Sequence, residues 1–175
     1  MRIVLLALAL LAAFGPTAAM ARSQAQLDCA VQRAPVGLAD NLAAAMIAAD
    51  RARLSPLQQQ LERAVRQCVA VSHMRDAEAE TYYSYALARL PREALIRQMA
   101  RAGIVAARID AAMGFGPGRP NLVMRDRDET DGARAAAAMA ASGIDEKHLS
   151  PANWRKVMTY IDLTPRMYRY LQALN

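Results

Sequence analysis

The side chains able to do demanding chemistry are few and far apart. Cys29 and Cys68 are the only cysteines in 175 residues. Their separation excludes the C-x-x-C spacing of a redox dithiol, and an even count in an exported chain reads as one structural disulfide. His73 in "VSHM" and His148 in "DEKHLS" are the only histidines. Neither falls in H-x-x-H, H-E-x-x-H or a cysteine–histidine spacing, whereas a zinc site needs three or four convergent ligands. Asp76, Glu78 and Glu80 follow His73 closely, but alternating positions on a helix point in different directions. Met74 beside His73 is a donor suited to copper. The other methionines recur singly at apolar helical positions, where packing is their role. No metal and no cofactor is expected.

The segment "DRDETDG", residues 126–132, has the composition of a calcium loop. Counted from Asp126, an EF-hand needs an acid at 130, Gly at 131 and Glu at 137; the chain has Thr130, Asp131 and Ala137. The frame is wrong, and a solvated mixed-charge loop is the expectation. G-x-S-x-G and S-x-x-K are both missing, and no two carboxylates stand on a defined face for glycoside hydrolysis. The sequence therefore names no catalytic residue. A hydrolase would have to assemble its site from scattered residues, for instance His73 with two of Asp76, Glu78 and Glu80 in one cleft.

The C-terminal stretch "WRKVMTYIDLTPRMYRYLQALN" interleaves bases and aromatics. Arg155, Lys156, Arg166, Tyr168 and Arg169 form the candidate interaction surface, suited to an acidic protein or an anionic envelope surface. The competing reading makes Trp154, Val157, Met158 and Ile161 a core stripe and the bases its solvated back.

These residues must be positioned by a chain that begins with "MRIVLLALALLAAFGPTAAMAR". One charge, an apolar run from Ile3 to Phe14, a Gly-Pro break and small residues make residues 1–21 a signal peptide cleaved after Ala21. A run of twelve is too short for a membrane span, so no transmembrane segment is expected in the mature chain, which should be periplasmic or secreted. Without Arg2 the formal charge falls from +6 to +5, and residues 22–175 form one basic domain large enough to bury a core. The bases are nearly all Arg, with only Lys147 and Lys156 as Lys; with so much Ala this reflects a GC-rich bacterial genome rather than phosphate recognition. Nucleic acid is not an expected partner of an exported protein.

Apolar positions at i, i+4 and i+7 or i+8 predict a helix over 38–53 (Leu38, Leu42, Met46, Ala49) and another from Pro56 (Leu57, Leu61, Val65, Cys68). Ser55, Pro56 and Gln58 read as a capping box between them. A short connection makes the two an antiparallel hairpin, with the disulfide stapling the N-terminal arm to its open end. Further helices are predicted over 76–90, over 92–102 after Pro91, through Ile104, Ile109 and Met113, in "RAAAAMAAS", from Ser150-Pro151 and from Thr164-Pro165. "GFGPGRPN", residues 114–121, is a loop between two packed halves. "MARAGI" (99–104) and "MAASGI" (139–144) each place an apolar clasp around a Gly, which fits two Schellman helix stops.

The expected fold is thus an all-α bundle of about six to eight short helices, its N-terminal hairpin stapled by one disulfide. The function expected from it is that of a non-enzymatic periplasmic module that binds another macromolecule in the bacterial envelope. The alternatives are a small envelope hydrolase and a peripheral membrane-surface protein.

Overall fold

The computed structural model describes residues 22–122, 129–144 and 149–175, without the side chains of residues 129–132 and 134. Residues 1–21, expected as a signal peptide, Asp126 and the residues beside it, and His148 lie outside the described residues. Among the described residues all regular structure is helical: α1 (Gln24–Arg33), α2 (Leu38–Ile47), α3 (Arg51–Val71), α4 (Asp76–Arg101), α5 (Ala106–Met113), α6 (Glu129–Ala141) and α7 (Pro151–Leu174).

The N-terminal arm is itself a helix. Ser23 accepts from the Gln26 N–H while the Gln26 side chain accepts from the Ser23 N–H, a capping box that starts α1. Cys29 on α1 joins Cys68 on α3 across a Cα–Cα distance of 5.9 Å. The bridge closes a loop of 39 residues, worth about 4 kcal/mol in the chain-entropy account.

Three junctions differ from the sequence reading. The first concerns the turn between α2 and α3, which falls at Ala48–Asp50. Asp50, not Ser55, caps α3, its carboxylate accepting from the Arg53 N–H at 3.0 Å. Ala49 takes a left-handed φ of 53° just past the end of α2, and α3 begins at Arg51, five residues before Pro56, which therefore lies inside α3. The second and third differences are Pro91 and Pro165, each of which lies inside a long helix instead of starting one. Each lacks an N–H for the carbonyl four residues earlier, Leu87 and Ile161 respectively, a local loss that both α4 and α7 survive. Both prolines are buried, and Arg92, next to Pro91, bonds to Thr164, next to Pro165. The two interruptions therefore lie side by side where α4 and α7 pack. The same helix continuity extends to α6: residues 129–132 of the expected mixed-charge loop are helical.

α4 is the central element and packs on α1, α2, α3, α5 and α7. It runs antiparallel to α7, since Arg22 bonds to Asn175 at the end of α7 and pairs with Glu78 at the start of α4. Leu38, Leu42, Leu61, Tyr82, Leu90, Leu95, Met99, Ile109, Met139, Val157, Tyr160 and Ile161 are the large side chains wholly withdrawn from solvent. Burying each apolar one contributes on the order of 1.5–3 kcal/mol.

Both Gly stops form as expected. Ile104 N–H donates to Met99 O and Gly103 N–H to Ala100 O, and Ile144 and Gly143 repeat the pattern on Met139 and Ala140. Gly103 and Gly143 have φ of 75° and 72°. In "GFGPGRPN" Phe115 is buried, and Asn121 closes the loop by accepting from the Gly116 N–H and donating to the Gly116 and Arg119 carbonyls.

Candidate functional site

Three constellations hold the polar side chains that could matter: two arginine clusters along α4 and one groove beside α7. Arg89 reaches from α4 to α1, pairing with Asp28 at 2.6 Å and donating to the Leu27 carbonyl at 3.2 Å. It also pairs with Glu93 and donates to the Tyr85 hydroxyl on its own helix. Tyr82, fully buried, accepts from the Ala30 N–H and donates to the Gln26 carbonyl, both at 2.9 Å.

One helical turn on, Arg92 reaches two other helices, α5 and α7. Its guanidinium donates to Thr164 Oγ1 at 2.9 Å, the Tyr160 hydroxyl at 2.8 Å and Asp110 Oδ2 at 2.9 Å. Tyr160 donates to Asp110 Oδ1 at 2.6 Å, and Thr164 donates to the Tyr160 carbonyl at 2.8 Å. Burial pushes the Asp110 carboxyl up despite the opposing pull of Tyr160 and Arg92, and burial raises the Tyr160 phenol strongly. A phenol held protonated against a carboxylate, with Thr164 committed as both donor and acceptor, leaves no group ready to attack or move a proton on a substrate. The cluster ties α4, α5 and α7 together.

His73 is exposed at the end of α3, in a left-handed conformation with φ of 49°. Glu78 is bound to the Arg75 guanidinium and N–H, which hold its carboxyl down to about 2, and to Arg22. Asp76 and Glu80 are exposed. None of these residues lines the groove, so the cleft a His73 hydrolase would need is not formed by them. Among the described residues, no three His, Cys, Asp or Glu side chains gather as a metal-holding group.

The groove has a volume of about 610 Å³. Its floor and walls come from the end of α2 (Met46, Ile47), the start of α3 (Leu54), the middle of α4 (Ser84, Leu87, Ala88) and one face of α7 (Trp154, Met158, Leu163, Tyr170). The left-handed Ala49 turns the chain sharply between α2 and α3 and so presents Met46 and Leu54 to the same space. Arg155, Asp162 and Arg166 add charge along α7, with Arg166 paired to Asp162 at 2.8 Å.

The five residues of the candidate basic surface therefore part company. Arg155 and Arg166 line the groove and are exposed. Lys156 donates to Asn153 at 3.1 Å, away from the lining residues. Tyr168 is half-buried under the Arg92 guanidinium, 5.8 Å from its ring centre. Arg169 is exposed and lies outside the lining. The expected core stripe also divides: Val157 and Ile161 are fully buried, whereas Trp154 and Met158 are half-buried on the groove. Met46, Leu54 and Leu87 are the groove residues that sequence reasoning treated only as packing positions or passed over. Their single sequence signal is an apolar residue that its own helix face does not fully bury.

Comparison with family models, curated proteins and solved structures gives no match for this chain.

Proposed function

We propose that the chain is an exported, non-enzymatic binding module whose ligand is received in the groove between α2, α3, α4 and α7. The observation that carries this reading is the groove itself. It has the size usual for small-molecule sites, ~300–1,000 Å³, with apolar walls and a few charged groups along one side. The polar clusters of α4 face away from this role because their hydrogen bonds are spent on neighbouring helices.

Export is supported by the disulfide, which persists in oxidising compartments, and by the order of charge, apolar run and small residues in positions 1–21. Among the described residues no helix is long and apolar enough to cross a membrane. Native mass spectrometry of the chain, isolated under mild conditions from an envelope fraction, tests the binding role. A non-covalent small-molecule mass is expected on the wild type and not on the folded variant Met158→Glu, which places a carboxylate in the groove. A wild-type chain that carries nothing, and takes up no apolar dye that Met158→Glu excludes, would contradict it.

A further inference from the structure

Resting on that reading, we infer that Met46 and Met158 form a reversible oxidation site that regulates the groove: hydrogen peroxide converts both thioethers to sulfoxides and closes the groove to apolar ligands. Exposure selects these two. Among the methionines of the described residues, Met74, Met99, Met113, Met139 and Met167 are buried, none more than 8% exposed. Met46 and Met158 are half-buried, and both line the groove. The thioethers that solvent reaches among the described residues thus coincide with the space that receives the ligand.

No thiol competes for the oxidant. Both cysteines of the chain are joined in the disulfide, which leaves the soft, polarizable thioethers as the side chains a mild two-electron oxidant attacks. The sulfur lone pair attacks one peroxide oxygen, and the S–O bond forms as the O–O bond breaks. The proton on the transferred oxygen passes to the departing hydroxide, which leaves as water. Sulfur loses two electrons and the peroxide gains them.

Position decides the consequence. At Met99 or Met139, both fully buried, a sulfoxide oxygen would disrupt the core. At Met46 on α2 and Met158 on α7 the oxygen can reach water in the groove, so the fold survives the change. An apolar ligand must then strip water from the sulfoxide oxygens without offering a hydrogen bond, which weakens binding about fivefold or more. Reduction to the thioether, by one enzyme for each sulfoxide epimer, restores the apolar wall.

The test uses the exported, disulfide-bonded chain in a Met124→Leu background, since Met124 lies outside the described residues. It is treated with hydrogen peroxide at neutral pH and mapped by peptide mass spectrometry. Met46 and Met158 should each gain one oxygen at least about tenfold faster than the five buried methionines, whose oxidation waits on opening of the fold. Affinity for N-phenylnaphthylamine, a neutral apolar dye, should fall about fivefold or more on oxidation and recover after treatment with both sulfoxide reductases. Met46→Leu with Met158→Leu, a swap that keeps volume and removes sulfur, should lose the response to peroxide whatever its starting affinity. Each single variant should show an intermediate response. Oxidation spread evenly over all the methionines, or dye affinity unchanged once both sulfoxides have formed, would overturn the switch and leave the binding module standing. A double variant as sensitive to peroxide as its parent, or a loss that the reductases do not reverse, would also overturn the switch alone. A parent that takes up no dye before oxidation would overturn both the switch and the binding module.

Discussion

Arg89 and Arg92 stand one turn apart on α4 and do the same kind of work for different helices. Arg89 ties α1 through Asp28 and the Leu27 carbonyl; Arg92 ties α5 and α7 through Asp110, Tyr160 and Thr164. The difference lies in what stands behind each tie. α1 is also held covalently by Cys29–Cys68, whereas α7 is held to α4 by packing, the Arg92 cluster and the Arg22 link between Glu78 and Asn175, with no covalent tie. Polar ties of similar make thus carry unequal weight, because stability depends on what else restrains the same helix.

The largest effect should come from removing the covalent restraint. Cys29→Ala with Cys68→Ala is expected to cost up to about 4 kcal/mol in urea unfolding, with amide exchange rising first in α1. A cost near zero would mean that Arg89 and Tyr82 hold α1 unaided, and the asymmetry would disappear. Next, Arg92→Ala should cost about 3 kcal/mol, because it strands the Asp110 carboxylate in a largely buried site. Arg89→Ala should cost roughly half as much by the same buried-pair argument, since the disulfide keeps α1 in place and Asp28 and Glu93 keep more water, 25% and 32% exposed against 20% for Asp110. Equal costs in thermal unfolding would break the comparison.

A smaller effect isolates one of the two Gly helix stops. A Cβ added at Gly103 would meet nothing within 4 Å, so Gly103→Ala reports the left-handed backbone alone, about 1–2 kcal/mol in urea unfolding. An unchanged midpoint would move the end of α4.

The smallest effect is in acid, where two carboxyl groups oppose each other. Glu78, with its carboxyl held down to about 2 by Arg75, contributes stability that is present above the ordinary carboxylate value and lost as pH falls toward 2. Asp110, pushed up by burial, contributes stability that is present below the ordinary aspartate value and lost as pH rises through its folded value. Midpoints of thermal unfolding measured between pH 2 and 6 should therefore fall less steeply toward acid in Glu78→Gln than in the wild type. Asp110→Asn should steepen the fall.

Local signals were readable where one residue decides a backbone conformation. Gly103 and Gly143, each with an apolar residue on both sides, define their stops from within six residues, and Ser150-Pro151 does the same for α7. Ala49 gave no such signal, because nothing in its side chain favours a left-handed turn; the Asp50 cap and the packing of α2 on α3 impose it. Pro91 and Pro165 were misleading for the converse reason. A proline penalises a helix locally, and only the pairing of α4 with α7 around Arg92 and Thr164 offsets that cost. The disulfide followed from the cysteine count and the hairpin length. The groove did not, since its walls join Met46, Leu87 and Trp154 from three helices, and periodicity within one helix is blind to what another contributes.

The cysteine bridge also bears on the order of assembly. Both sulfurs belong to the first 68 residues, while α7, which completes the core around α4, follows them in the chain. Because neither sulfur belongs to α7, α1 and α3 can be linked without it. The covalent step thus needs no finished groove, and a chain truncated before α7 should still oxidise while remaining unable to close the α4 face. Oxidation state and groove formation are separate milestones in the maturation of one small domain.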